Sequence, residues 1–342
     1  MRVRMNGVAL RQRGLTLIEL MVAMVLSVLV VTMAGLALMA SNTSLRSTDA
    51  NAQLNDMAMT VASVLRRSIV QAGYQPSSDS RFTREVYNAR FGAKPYPDVY
   101  GRSAAQMGVA TAGVSQPNVN ALYSGGGGGG LAVSANPDGN DLLVIRLQAL
   151  PEKLDTGAGY VALTDLCTGN LMQTDPESVY SVTDKAEMHK PVYAFFVVPD
   201  ADTGGILYCK SWVGANASGT RDAVSVPLAD GVLSFKVLYG IYNSSSGTPG
   251  NLKGSPNEWK AASAMSANDW YNVKRIRIGL VLQSKPGAAM ANSESATLYP
   301  LGPEFAVAGN VGSQRTVSYS DGRLYRTMNF NVVIGNRLTP RL

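Results

Sequence analysis

Two hydrophobic patterns divide the chain. From Leu15 to Ala40 a single charge, Glu19, interrupts an otherwise apolar run. At about 1.5 Å per residue, that run forms a helix of roughly 39 Å, enough to cross a bilayer core. The pattern then turns amphipathic. Apolar residues recur at Leu45, Leu54, Met57, Val61, Val64, Leu65 and Ile69, and from Leu54 onward the gaps of three or four put them on one stripe. No proline falls between Leu15 and Ala72; Gly73 suits a helix C-cap and Pro76 forbids continuation. One helix of nearly 60 residues is predicted, with an apolar half followed by an amphipathic half that packs on a head.

Beyond the helix the period changes to two. Residues 76–140 are rich in Gly, Ser, Asn and Pro and hold few strong strands. Strong strand patterns cover 141–150, 192–199 and 205–213, the last two flanking "DADTGG" as a hairpin. Alternation then places Leu233, Phe235, Val237 and Tyr239 on one face of a strand. It does the same for Ile276, Ile278, Leu280 and Leu282, with Arg275 and Arg277 opposite, and for Met328, Phe330, Val332 and Ile334. Strands with one apolar face suit an antiparallel sheet packed on the helix stripe, and a long helix followed by strands is the order of an α+β fold.

Charge sharpens the reading of the first segment. The formal net charge is +6, but Arg2, Arg4, Arg11 and Arg13 supply four of these, leaving 6 − 4 = +2 for residues 15–342. The bulk is nearly neutral, so composition gives no case for nucleic-acid binding. The basic start puts residues 1–14 in the cytoplasm and the polar remainder outside. A secretory signal peptide has a shorter apolar stretch, of about 7–15 residues. A plain single-pass anchor explains the length and the arginines but not Glu19. A carboxylate this deep costs about 2.5–3.5 kcal/mol at mid-helix and less near an end, so either it snorkels to the headgroups or it has a partner.

The residues around Glu19 decide between these. "RGLTLIEL" resembles the class III leader of type IV prepilins and type II secretion pseudopilins. The resemblance implies that a prepilin peptidase cuts after Gly14, behind the basic Arg11 and Arg13, and methylates Leu15. Glu19 is then the fifth mature residue. Leu15 departs from the phenylalanine usual in major pilins, a mild apolar change. In a filament, a neighbour's N-terminal ammonium could then pair with Glu19 and favour correct axial register, because a misplaced stagger leaves both charges unpaired in an apolar core.

The later stretches "GNDLLVIRLQAL", "AFFVVPDADTGGILYCK", "DGVLSFKVLYGI" and "RLYRTMNFNVVIGNR" resemble something narrower, the PilW minor pilins and their type II secretion counterpart GspJ. The greater length favours PilW, with 76–140 and 240–270 as variable insertions. The resemblance implies a type IV pilin-like fold with a cleaved leader (1–14), an apolar membrane or filament-core half-helix (15–40), an amphipathic half-helix (41–73) and a periplasmic β-rich head (74–342). It implies a minor pilin that helps prime assembly at or near the pilus tip and serves twitching motility and adhesion. Its partners would be other minor pilins, the major pilin, the prepilin peptidase, the inner membrane before assembly, and a tip adhesin. It implies no cofactor, no metal and no nucleic acid. A GspJ-like pseudopilin and, remotely, a membrane-anchored periplasmic enzyme are the alternatives.

The remaining chemistry is sparse. Cys167 and Cys209 are the only cysteines and His189 the only histidine. A catalytic triad would rest on His189 alone, in a polar stretch that reads as a loop. Topology puts both cysteines in an oxidising compartment, where a bridge closing their loop is worth about 4 kcal/mol; two free thiols are the alternative. The run Gly125–Gly130 lacks the Lys and the helix start of a phosphate loop and reads as a flexible loop. Asp200 and Asp202 have the look of a partial calcium loop but lack the bidentate acid at the twelfth position, which leaves a turn with self-bonding Asp.

Overall fold

The computed structural model describes residues 16–73, 90–91, 94–95, 98–103, 139–147, 152–153, 161–169, 171–174, 191–200, 202–213, 224–242, 258–266, 268–306 and 314–335. Arg11, Arg13, Gly14, Leu15, Gly125–Gly130 and His189 lie outside these residues. One helix, α1 (Leu17–Val70), runs without a break for 54 residues, about 81 Å at 1.5 Å per residue. Among the described residues the rest is antiparallel sheet, short 3-10 turns and connections, giving the α+β class that the two periods predict.

Among the described residues, nine strands build two larger sheets. They are β1 (Val99–Arg102), β2 (Leu142–Arg146), β3 (Pro191–Val198), β4 (Ile206–Val213), β5 (Val224–Asp230), β6 (Val232–Ile241), β7 (Glu258–Ala261), β8 (Val273–Gln283) and β9 (Tyr325–Val333). The first sheet has the order β5-β4-β3-β2-β1 and the second β7-β6-β8-β9. The hairpin expected around "DADTGG" joins β3 to β4 in unbroken register. The single sheet of the sequence reading is thus two sheets of antiparallel neighbours.

Backbone hydrogen bonds tie the sheets together. β7 pairs only with Leu238–Ile241, so it leaves the first half of the β6 edge open. The segment entering β2 fills that gap. Asp141 N–H donates to Phe235 O, Phe235 N–H donates to Asn140 Oδ1, and Val237 N–H donates to Asp141 Oδ2. Lys236 sits beside them, 3.5 Å from Asp141 and donating to Gly139 O. Further along, Val232 N–H donates to Gly205 O and Gln283 Nε2 to Thr203 O. Tyr100, Trp270 and Tyr239 pack where β1 meets β6; the Trp270 ring centroid lies 4.8 Å from each tyrosine ring. Gly101 is required there, because a Cβ would occupy the space of the Tyr239 hydroxyl.

Two expectations need correction. The strand at 232–241 is not two-faced: Ser234, Lys236 and Leu238 are buried along with Phe235, Val237 and Tyr239. Both faces of this strand are therefore out of water. Within 76–140, Val99–Arg102 is a buried edge strand rather than irregular chain. The alternation on β9 holds, and that on β8 holds over 275–278, beyond which Val281 and Gln283 on the opposite face are buried as well. Ile276, Ile278, Leu280 and Leu282 are fully buried, and on β9 Phe330 and Val332 are buried while Thr327, Asn329 and Asn331 are exposed.

The helix, its seat and the Cys167 turn as the candidate assembly site

The helix starts with a local device. Thr16 has extended backbone (φ −74°, ψ 149°), and its hydroxyl accepts the Glu19 N–H at 3.4 Å. Thr16 as N-cap and Glu19 at the third helical position is the spacing of a capping box. A carboxylate in the first turn also lies at the positive end of the helix dipole. The T-x-x-E spacing is itself a sequence signal, missed when Glu19 is read for its charge alone.

From Leu17 to Gln53 no residue of the helix is buried; the first that is buried is Leu54. An 18-residue window of this stretch has mean hydropathy 2.5, and none of that window is buried. Several of its hydroxyls are satisfied within the helix. Ser27 Oγ–H donates to Met24 O, Thr32 Oγ1–H lies 2.9 Å from both Val28 O and Leu29 O, and Thr43 Oγ1–H donates to Met39 O. The lower half therefore offers its surroundings an apolar surface whose hydroxyls are turned back to the helix's own carbonyls.

The seat begins at Leu54. Leu54, Ala58, Val61, Ala62, Leu65, Ser68 and Ile69 are buried, chiefly against β9 and also against β8 and β5. Leu45, an apolar position of the same half that precedes the stripe, is 66% exposed. The small residues Ala58, Ala62 and Ser68 complete the seat. Arg66 adds a cation over the Phe330 ring, 5.0 Å from its centroid. At the far end Gly73 takes φ +70°, and its N–H donates to Arg146 O at 2.9 Å. A side chain there would meet Asp98, so the glycine is needed both for its backbone angle and for its lack of a Cβ.

Cys167 and Cys209 are joined, with Cα atoms 5.7 Å apart. The turn carrying Cys167 is held by more than the bridge. Asp165 is buried, and its carboxylate accepts from Cys167 N–H (2.9 Å), Thr168 Oγ1–H (3.0 Å) and Ser211 Oγ–H on β4 (2.8 Å). Leu166 N–H donates to the Tyr193 hydroxyl on β3. Burial raises the pKa of that phenol well above its ordinary value, so it stays neutral beside the Asp165 carboxylate. The Asp200–Gly204 turn is closed by Thr203, whose N–H and hydroxyl both donate to Asp200 Oδ2. Among the described residues, no three His, Cys, Asp or Glu side chains gather as metal ligands would.

Two stretches of the chain match known families. Residues 194–336, which take in β4 to β9 and most of β3, match the family Type IV Pilus-assembly protein W. Residues 10–35 match the prokaryotic N-terminal methylation motif. That second match contains Gly14, Leu15, Thr16 and Glu19. A solved structure, a type IV-like pilin from Thermus thermophilus, is similar over 83% of this chain and 98% of that one, at 12% identity and a TM-score of 0.36. No curated protein matches the sequence.

Proposed function

Because the chain is a PilW-family pilin with a prepilin leader, we propose that it is cut after Gly14 and carries a methylated Leu15 as its mature N-terminus. As a type IV pilus minor pilin it is a structural subunit and not an enzyme. Residues 1–14 are the leader, with Arg11 and Arg13 its basic flank. Residues 15–40 anchor the subunit in the inner membrane and later line the filament core, 41–73 join that half to the head, and 74–342 are the periplasmic head. The observation that carries this reading is a helix with one half bare and apolar and the other half clamped to the head.

In this reading Glu19 pairs with the ammonium of a neighbouring subunit. An apolar surround makes the pair selective, because an unpaired charge there is costly. The partners are the major pilin, other minor pilins and the prepilin peptidase. A head of this size fits best at or near the tip, where it meets fewer neighbours, and from there it helps to start assembly. Mass spectrometry of sheared filaments tests the proposal. It should find this chain beginning at methylated Leu15, and Gly14→Val should leave the precursor uncut. Glu19→Ala should be cut normally yet enter filaments poorly. A mature N-terminus elsewhere, or full incorporation of Glu19→Ala, would refute the reading.

A further inference from the structure

The four outer edges of the two sheets differ in one respect. β1 and β7 are four residues each. β1 is flanked by a short helical turn whose Ser263 N–H donates to Ser103 Oγ, and β7 carries Lys260, paired with Glu258 and Asp269. β5 has Pro227 and a register shift next to it. Short length, charge, proline and bulges are the devices by which sheet edges avoid unwanted pairing. β9 makes the least use of them. It is nine residues long, pairs with β8 in unbroken register, holds no proline, and bears Arg326 as its one charged residue.

The open groups of that edge can be assigned. Ile334 N–H donates to Lys274 O, and Ser284 N–H donates to Leu324 O. Even-numbered residues therefore face β8, and by alternation Thr327, Asn329 and Asn331 turn their N–H and C=O away from it. Among the described residues, β9 pairs with no strand on that side. The same strand is the main seat of α1, so its edge runs beside the helix through which subunits associate.

We propose that the open edge of β9 adds a strand from the head of a neighbouring pilin in the filament. The proposal rests on the pilin reading and goes beyond it. Main-chain hydrogen bonds would give the contact its affinity, and the exposed Thr327, beside Asn329 and Asn331 whose Oδ1 atoms accept from Arg277, would select small or polar side chains across from it.

The test places a photoreactive residue at Asn329 of the full chain in filament-assembling cells, and a second at Leu29 in the apolar half. Both should give adducts with pilin subunits. Thr327→Pro removes an outward donor without touching the β8 ladder, and Thr327→Lys charges the edge without constraining the backbone. Each should lower the Asn329 adduct by roughly threefold to tenfold, the worth of about one hydrogen bond, and leave the Leu29 adduct unchanged. A urea midpoint close to the parent's reports that each variant folds. Adducts at Leu29 without any at Asn329, or an Asn329 adduct that neither substitution lowers, would overturn the edge proposal and leave the pilin reading standing. If neither position gave an adduct, both would fall.

Discussion

Replacing Leu65 by alanine measures how firmly the head holds the helix. Leu65 is fully buried in the seat. The change deletes three carbons, about 2.4 kcal/mol of transfer free energy at roughly 0.8 kcal/mol each. The cavity left behind adds to this, because the seat is built on sheet strands that cannot collapse freely. A total of about 3–4 kcal/mol follows, within the usual range for buried leucines. Leu45 gives the contrast. It is 66% exposed on the same helix, so Leu45→Ala forfeits at most about a third of the transfer figure and gains slightly in helix propensity. Urea unfolding of the full chain in mild detergent, followed by tryptophan fluorescence, reads both; Trp270 lies in the core and reports on the head. Leu65→Ala should lower the midpoint strongly with an unchanged slope, and Leu45→Ala should barely move it. Equal losses would mean that the seat reaches to Leu45 and that its lower boundary at Leu54 is wrong.

Two further outcomes follow from the head. Reduction of Cys167–Cys209, or replacement of both by serine, should cost about 4 kcal/mol for the loop the bridge closes. Asp165→Ala in the oxidised protein should cost about 1–3 kcal/mol, since it strands the Ser211 and Thr168 hydroxyls; urea midpoints matching the parent's would refute either. The Asp200 carboxyl is held below its ordinary value by the Thr203 hydroxyl and then by backbone N–H groups. Its contribution is present above about pH 4 and is lost as pH falls through the lower folded value. Asp200→Asn should therefore weaken less than the parent on acidification from about pH 5 to about pH 3, and parallel acid-unfolding curves would count against this.

The fold was legible wherever a single face was buried. The 3.6-residue stripe located the seat from Leu54 to Ile69, and strict alternation located the buried faces of β8 and β9. The gap of nine between Leu45 and the next apolar position of the pattern, Leu54, already marks the lower limit of the seat. Periodicity could not see β1. Val99 and Tyr100 are followed by Gly101 and Arg102, and the close approach of Tyr239 and of the Leu142 carbonyl explains the glycine. On β6 the polar Ser234 and Lys236 pointed to a solvent face; Lys236 is buried beside Asp141, almost a hundred residues earlier. Glu19 stood out in the sequence by its charge, and the structure places it in the capped first turn of the helix. Asp165 was less legible, because its role depends on Ser211 lying across from it in space.

The two ends of the molecule can check each other. If Glu19 meets a neighbour's amine as proposed, that pair fixes the height of one subunit against the next. The unbroken helix and the seat at Leu54–Ile69 carry that height rigidly to β9. Strand pairing tolerates slips only in steps of two residues, about 6.8 Å, because a slip of one turns every side chain to the wrong face. A displacement of about 6.8 Å also takes an ammonium out of contact with Glu19. Each interface alone would admit neighbouring registers at modest cost; together they penalise the same errors twice. On this reading the pairing of β9 should depend on Glu19. In Glu19→Ala subunits that still enter a filament, adducts at Asn329 should spread over several partner positions, while those in the parent converge on one. A single position in both would show that the head sets its own register without help from the helix.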